Sequence, residues 1–212
     1  MLLPLAAVLA TAAGPILADV PAQPDPKARY VFYLHGRILE VQGRNAVSPD
    51  FGTYEYDAIL AALAAPGFTV VSEVRRDGAG DEFAERVAGQ IRALKAAGVP
   101  SRNIAVIGAS KGAGLGLAVS AAAGDPEIAY VVLAGCGVSP ERAAALRGRI
   151  LSIYDENDRF QPSCRETFAL AKTLTARREI VLKVGLDHGL LYKPYREWVD
   201  PALAWIERKP LR

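Results

Sequence analysis

Apolar residues along the chain gather into short runs of β-branched and aromatic side chains: "YVFYLH" from Tyr30, "FTVVSEV" from Phe68, "IAVIG" from Ile104, "AYVVLAG" from Ala129, "ILSIYD" from Ile150 and "EIVLKVG" from Glu179. Each run has the length of a strand and several close on glycine, so the pattern predicts about six buried strands. Between them, "YEYDAILAALAAPG" and "DEFAERVAGQIRALKAAG" repeat apolar residues at three- and four-residue intervals and stop at glycine. The second also opens on acidic residues, which suit the positive end of a helix. Further helices are expected directly after Ser110, around Pro140 to Leu146, from Pro162 to Leu174, and from Tyr195 to Glu207, the last seated on the core by Trp198 and Trp205. Strands that alternate with helices predict an α/β fold, a three-layer α/β/α sandwich around a mostly parallel sheet.

The amino terminus breaks this pattern. Met1 to Ala18, "MLLPLAAVLATAAGPILA", is apolar and uncharged, and a polar, proline-rich stretch follows to Arg29. Residues 1–18 read as an export signal, 19–29 as a linker and 30–212 as a single domain. The segment lacks a basic leading region, Ile16 is large for a position three residues before a cut at Ala18, and cleavage after Ala13, cleavage after Ala18 and retention as a lipid-facing anchor all stay open. It is short for spanning a bilayer, so the expectation is a periplasmic or secreted chain with no stable membrane insertion after cleavage. With 212 residues, about half apolar, one core is sufficient; a monomer or a small homo-oligomer is expected. The net charge of +2 and the scatter of the basic residues exclude a nucleic-acid-binding surface.

In a parallel sheet the ligand site lies beyond the carboxyl ends of the strands. Those ends carry His35-Gly36-Arg37, Arg75-Arg76-Asp77, Gly108-Ala109-Ser110, Gly135-Cys136-Gly137, Asp155 to Asp158, and Asp187-His188-Gly189. "VIGASKGAGLG" has three readings. Its glycines run G-x-G-x-G, which fits neither a P-loop nor a dinucleotide turn. Gly108, Gly112, Gly116 and Ser120 recur at every fourth residue and would keep one helix face small, but this leaves the Ser-Lys pair unexplained. Gly108 to Gly112 also fits G-x-S-x-G, a nucleophile elbow set between a strand and a helix. The chain has only two histidines, and both fall at strand ends. Serine, acid and histidine thus follow one another in the order Ser, Asp, His.

Over Tyr30 to Lys209 the chain resembles the α/β-hydrolase superfamily, and most closely its small, lidless bacterial members. "YLHGR" resembles the strand and oxyanion loop, "GASKG" the elbow, "YDENDRFQP" the acid loop and "GLDHGLLY" the histidine loop. The resemblance implies a core without the first two strands of the usual sheet and without a lid domain. It departs from the family in reading "HGR" where a glycine-rich HGGG is usual. It implies that Ser110 attacks a carbonyl, His188 moves the proton and Asp158 orients the imidazole. The oxyanion would be held by the backbone N–H of Lys111 and by that of Gly36 or Arg37. Asp155 competes for the acid role because it ends the strand directly. Asp158 fits better, with an apolar residue and proline behind it. The Lys111 side chain is expected to be solvated.

Cys136 and Cys164 follow strands that should be neighbours, so they lie within bridging reach. In an exported chain the pair reads as a disulfide, in a cytosolic one as two buried thiols. Arg37, Arg75 and Arg76 end adjacent strands, where Arg75 and Arg76 either grip an anionic substrate or pair with nearby acids. The stretch from Arg37 to Tyr54 reads as a long loop that walls the pocket with Glu40, Phe51, Tyr54 and Tyr56. No cofactor is expected, and two histidines with two cysteines offer no usual metal cluster. The function expected is hydrolysis of a small-molecule ester or thioester through an acyl-enzyme on Ser110. An amidase or peptidase would use the same three residues, and a non-catalytic binding protein could share the fold.

Overall fold

The computed structural model describes residues 12–160 and 163–211. Residues 1–11 of the expected leader, and the Gln161-Pro162 pair of the acid loop, lie outside the described residues.

The six expected runs form six parallel strands: β2 (Tyr30–Leu34), β5 (Thr69–Val71), β6 (Ile104–Ala109), β7 (Ala129–Leu133), β8 (Arg149–Asp155) and β9 (Ala176–Leu182). A seventh, β1 (Ile16–Leu17), adds to the edge of β5 with Ile16 opposite Val70, and the sheet order is β1-β5-β2-β6-β7-β8-β9. The count therefore exceeds the expected six. The extra strand comes from the stretch read as leader, where Val70 N–H donates to Pro15 O and Ser72 N–H to Leu17 O.

Alternation along each strand sends side chains into two cores. In β2, Val31 and Tyr33 face the layer of α2 (Tyr56–Ala64) and α7 (Arg196–Ile206), where Trp198 and Trp205 are seated. Tyr30, Phe32 and Leu34 face the layer of α3 (Asp81–Ala96) and α4 (Lys111–Ala123). Burial on both faces explains why the strands read as continuous apolar runs. Two short helices, α5 (Pro140–Ala145) and α6 (Arg165–Leu170), complete the second layer. α6 is shorter than the expected stretch from Pro162 to Leu174.

The stretch from Arg37 to Tyr54 is not a long loop. It holds α1 (Arg37–Gln42) and a small antiparallel hairpin of β3 (Val47–Ser48) and β4 (Gly52–Thr53). Connections leaving β2 run to one side of the sheet and those leaving β6 to the other, so a crevice opens between these two neighbouring strands. Ser110 stands at its edge.

Candidate active site

The end of β6 is held where it is by backbone contact. A Cβ on Gly108 would lie 2.1 Å from Gly112 O, and one on Gly112 would lie 1.9 Å from Leu34 O. Both outer glycines of G-x-S-x-G are thus dictated by the approach of α4 to β6 and β2, and the small-face and elbow readings coincide at Gly108 and Gly112, while Gly116 has ordinary room for a Cβ. Between them Ser110 takes φ 53° and ψ −118°, a conformation that costs a non-glycine residue about 1–3 kcal/mol. The turn lifts its side chain into the crevice.

His188 reaches Ser110 from the turn at Asp187–Leu191 beyond β9, with Nε2 3.0 Å from Ser110 Oγ. Its Nδ1 lies 2.8 Å from Asp158 Oδ2. The Asp158 side chain is fully buried, and its other oxygen accepts the Phe160 N–H at 3.0 Å. Asp155 does different work: its carboxylate accepts the N–H of Leu186 at 2.6 Å and of Asn157 at 3.2 Å, joining the acid loop to the histidine loop. Asp187 accepts Arg159 Nε at 2.7 Å and pins the same two loops from the solvent side. Phe160 stacks edge-on against the His188 ring, 4.7 Å between centroids, and Phe51 flanks it at 6.3 Å.

Around Ser110 a cavity of about 610 Å³ opens. Phe51, Tyr54, Phe160, Leu191 and Tyr192 give its lining an aromatic and aliphatic part, and Gly114, Ala134, Gly135, Cys136 and Gly137 a part of small residues. Gly36, Arg37 and Lys111 lie beside the serine. Lys111 and Arg37 are the first residues of α4 and α1, and a helix's first N–H has no partner inside the helix. Gly36 differs, because its N–H turns to the Tyr54 hydroxyl at 3.5 Å. Burial raises the Tyr54 pKa to about 12, against hydrogen bonds from Tyr33 and Gly36 that lower it, so the group stays a neutral phenol.

His35 shapes the oxyanion loop without entering the cavity. Its Nε2 accepts the Arg75 N–H at 2.9 Å, which places the proton on Nδ1, and that N–H donates to Gly36 O at 2.8 Å. Burial first, and the Arg75 charge second, push its pKa down to about 3. The ring is therefore neutral and fixes the Gly36–Arg37 peptide by its carbonyl. In a trans peptide the Arg37 N–H points the opposite way.

Several expectations change; Tyr56, expected on the pocket wall, is buried with its hydroxyl on Ser72 Oγ at 2.7 Å and does not line the cavity. Arg75 does not reach the cavity; it is buried, held by Glu40 at 3.0 Å and by the His35 carbonyl, and burial lowers its pKa against the opposing pull of Glu40. Arg76 is exposed and paired with Glu82 at 2.8 Å, beside a different cleft between α3 and the end of β5. Glu40, expected on the pocket wall, is instead buried under it and takes the Lys111 ammonium at 2.5 Å, so the Lys111 side chain is ion-paired and only partly exposed. A six-residue helix has too few turns for its inward face to be read from periodicity. Cys136 and Cys164 are bridged, Cα to Cα 5.1 Å, across the loops after β7 and β8. Among the described residues no group of three or more His, Cys, Asp or Glu side chains is placed to hold a metal ion, and no helix is long and apolar enough to cross a membrane.

Comparison of the whole chain with solved structures bears on the fold. A putative dienelactone hydrolase from Klebsiella pneumoniae superposes with TM-score 0.61 at 15% identity, covering 89% of this chain and 90% of the other. The fold is that of the α/β-hydrolases. SOBER1 of Arabidopsis thaliana matches at TM-score 0.60 and 15% identity over 85% and 98% of the two chains, and the esterase domain of a Rhodothermus marinus protein at 0.52 and 20% over 88% and 89%. No protein-family model and no curated protein matches the sequence. On this α/β-hydrolase fold, the crevice with Ser110, His188 and Asp158 lies where the sheet order predicts a ligand site.

Proposed function

We propose that the chain is a serine hydrolase that cleaves an ester or thioester through an acyl-enzyme on Ser110. The observation that carries this reading is the unbroken hydrogen-bonded line from Ser110 Oγ through the His188 ring to Asp158. A serine hydroxyl is a weak nucleophile until a base takes its proton, and imidazole accepts and returns a proton near neutral pH. Ser110 Oγ adds to the substrate carbonyl as His188 Nε2 takes the proton. Asp158 holds the imidazole with Nδ1–H toward itself and stabilises the imidazolium. The N–H groups of Lys111 and Arg37 receive the charge that forms on the carbonyl oxygen. Collapse expels the alcohol or thiol with the proton from His188, and a water activated by the same ring then releases the acid and frees Ser110.

Hydrolase and esterase names among the structural neighbours support the reading at the level of reaction class. The aromatic part of the cavity lining suits an apolar substrate portion, since such surface is favourable to remove from water. A panel of p-nitrophenyl esters, acyl thioesters and matched anilides tests it. Turnover of esters or thioesters, absent in Ser110→Ala, supports the reading; turnover of anilides alone would move it to an amidase.

We also propose export. A disulfide persists in oxidising compartments and is rare in the cytosol. Because Ile16 and Leu17 pair with β5, cleavage after Ala13 is the choice that keeps the edge strand. The intact mass of the exported chain distinguishes it from cleavage after Ala18.

A further inference from the structure

Behind the cavity the Glu40 carboxylate, fully buried, holds two cations at once. Oε2 takes the Lys111 ammonium and Oε1 the Arg75 guanidinium. Arg75 in turn donates from its guanidinium to His35 O and from its backbone to His35 Nε2, and His35 Nδ1–H holds Gly36 O. A continuous polar path therefore runs from the Gly36–Arg37 peptide to the side chain of Lys111. Its two ends belong to the residues whose backbone N–H groups would receive the oxyanion.

We propose that Glu40 is a positioning residue: by tying the helix that begins at Arg37 to the helix that begins at Lys111, it fixes the separation of the two oxyanion donors. The inference rests on the hydrolase reading above. Donors of this kind act at about 2.7–3.1 Å from the developing charge, a narrow range, and losing one costs about 10²–10³ in rate. α1 needs such a tie, because only Leu39 and Glu40 of its six residues are buried and apolar packing alone holds it weakly. The carboxylate is satisfied on both oxygens, so the cluster is stiff, and loss of the Glu40 charge leaves the buried Arg75 guanidinium without its anion.

A purely electrostatic role gives the opposite sign for one variant. Two cations against one anion leave the cluster positive, and Glu40→Gln would make it more so, which by field alone maintains or raises kcat. Positioning predicts a fall.

The test is steady-state turnover of a soluble p-nitrophenyl ester by wild type, Glu40→Gln, Lys111→Met and Lys111→Arg, with a thermal melt of each. Lys111→Met keeps the backbone N–H and leaves Glu40 paired with Arg75, so the chain folds. It is expected to lose about ten- to a hundredfold in kcat with KM within about twofold, as misplacement of a catalytic group by an ångström does. Lys111→Arg, which still reaches Glu40, recovers most of the loss. A folded Lys111→Met with wild-type kcat overturns the proposal, as does a folded Glu40→Gln with kcat equal to or above wild type. Should Glu40→Gln fail to fold, Glu40→Asp decides, because it keeps the charge and shortens the tie by one methylene: a fall in kcat supports positioning, and a folded Glu40→Asp with wild-type kcat overturns it. An active wild type with indifferent variants removes this inference alone; a wild type that turns over no ester removes the hydrolase reading beneath it.

Discussion

Asp155 and Asp158 lie three residues apart, yet their carboxylates face different partners. Asp158 meets the His188 ring, while Asp155 accepts backbone N–H groups from its own loop and from Leu186. Loss of charge at the two positions should separate activity from stability. Asp158→Asn is expected to reduce kcat on the order of 10⁴-fold by favouring the wrong imidazole tautomer, with little change in the melting temperature. Asp155→Asn should instead lower stability by about 1–3 kcal/mol, because the charge-assisted bonds from its buried carboxylate to the loop N–H groups are weakened. Ester turnover and urea denaturation of both variants check this; equal loss of turnover would contradict it. That Ser110, Asp158 and His188 stand within hydrogen-bond reach of one another was legible in the sequence, because each lies at or just past a strand end within a short motif. Glu40 was not, since its partners Lys111 and Arg75 are 71 and 35 residues away and nothing local marks it as buried.

At the scale of elements, the elbow shows why two glycines flank the serine. Gly112→Ala places a methyl group 1.9 Å from Leu34 O, a backbone atom that cannot swing aside. It should cost about 3 kcal/mol or more as an overpacked core position. Gly116→Ala, whose added Cβ would meet Val106 Cγ1 at an ordinary 3.8 Å, should be neutral or stabilising by up to about 1 kcal/mol. Chemical denaturation of the pair reads the contrast, and equal stabilities would show that α4 yields more than its contacts imply. The strands and the long helices α2 and α3 were legible because their apolar periods run for several turns or a full strand. α1, the β3–β4 hairpin and β1 escaped because they are short and, unlike the equally short α5 and α6, do not fill an empty slot in the strand–helix alternation: α2 already fills the crossover from β2 to β5. In β1 the apolar composition of a leader also imitates that of an edge strand.

Over the whole molecule, two features tie the site to stability. The Cys136–Cys164 bridge closes a separation of 28 residues and joins the cavity wall to the loop that carries Asp158. In the chain-entropy model, replacing both cysteines by alanine should cost about 3–4 kcal/mol. Intact mass before and after reduction and alkylation establishes the bond, and denaturation of the double variant measures its effect. His35 sets a pH dependence. Folded, its pKa is about 3; unfolded, it returns to 6.5. Between those values the unfolded chain binds a proton that the folded chain refuses. Stability is therefore full above pH 6.5 and falls as the pH drops, by up to about 1.4 kcal/mol per pH unit from this group. Urea unfolding at pH 7, 6 and 5 should show a steeper loss in wild type than in His35→Gln, which cannot titrate there; parallel slopes would contradict the assignment.

The central claim is that Ser110 is an activated nucleophile. It is tested most directly by reacting the folded protein with a fluorophosphonate and mapping the modified peptide by mass spectrometry, beside Ser110→Ala and His188→Ala. The account predicts a single adduct on Ser110, absent in the first variant and strongly slowed in the second. A folded wild-type chain that stays unlabelled, or one labelled elsewhere, would contradict it.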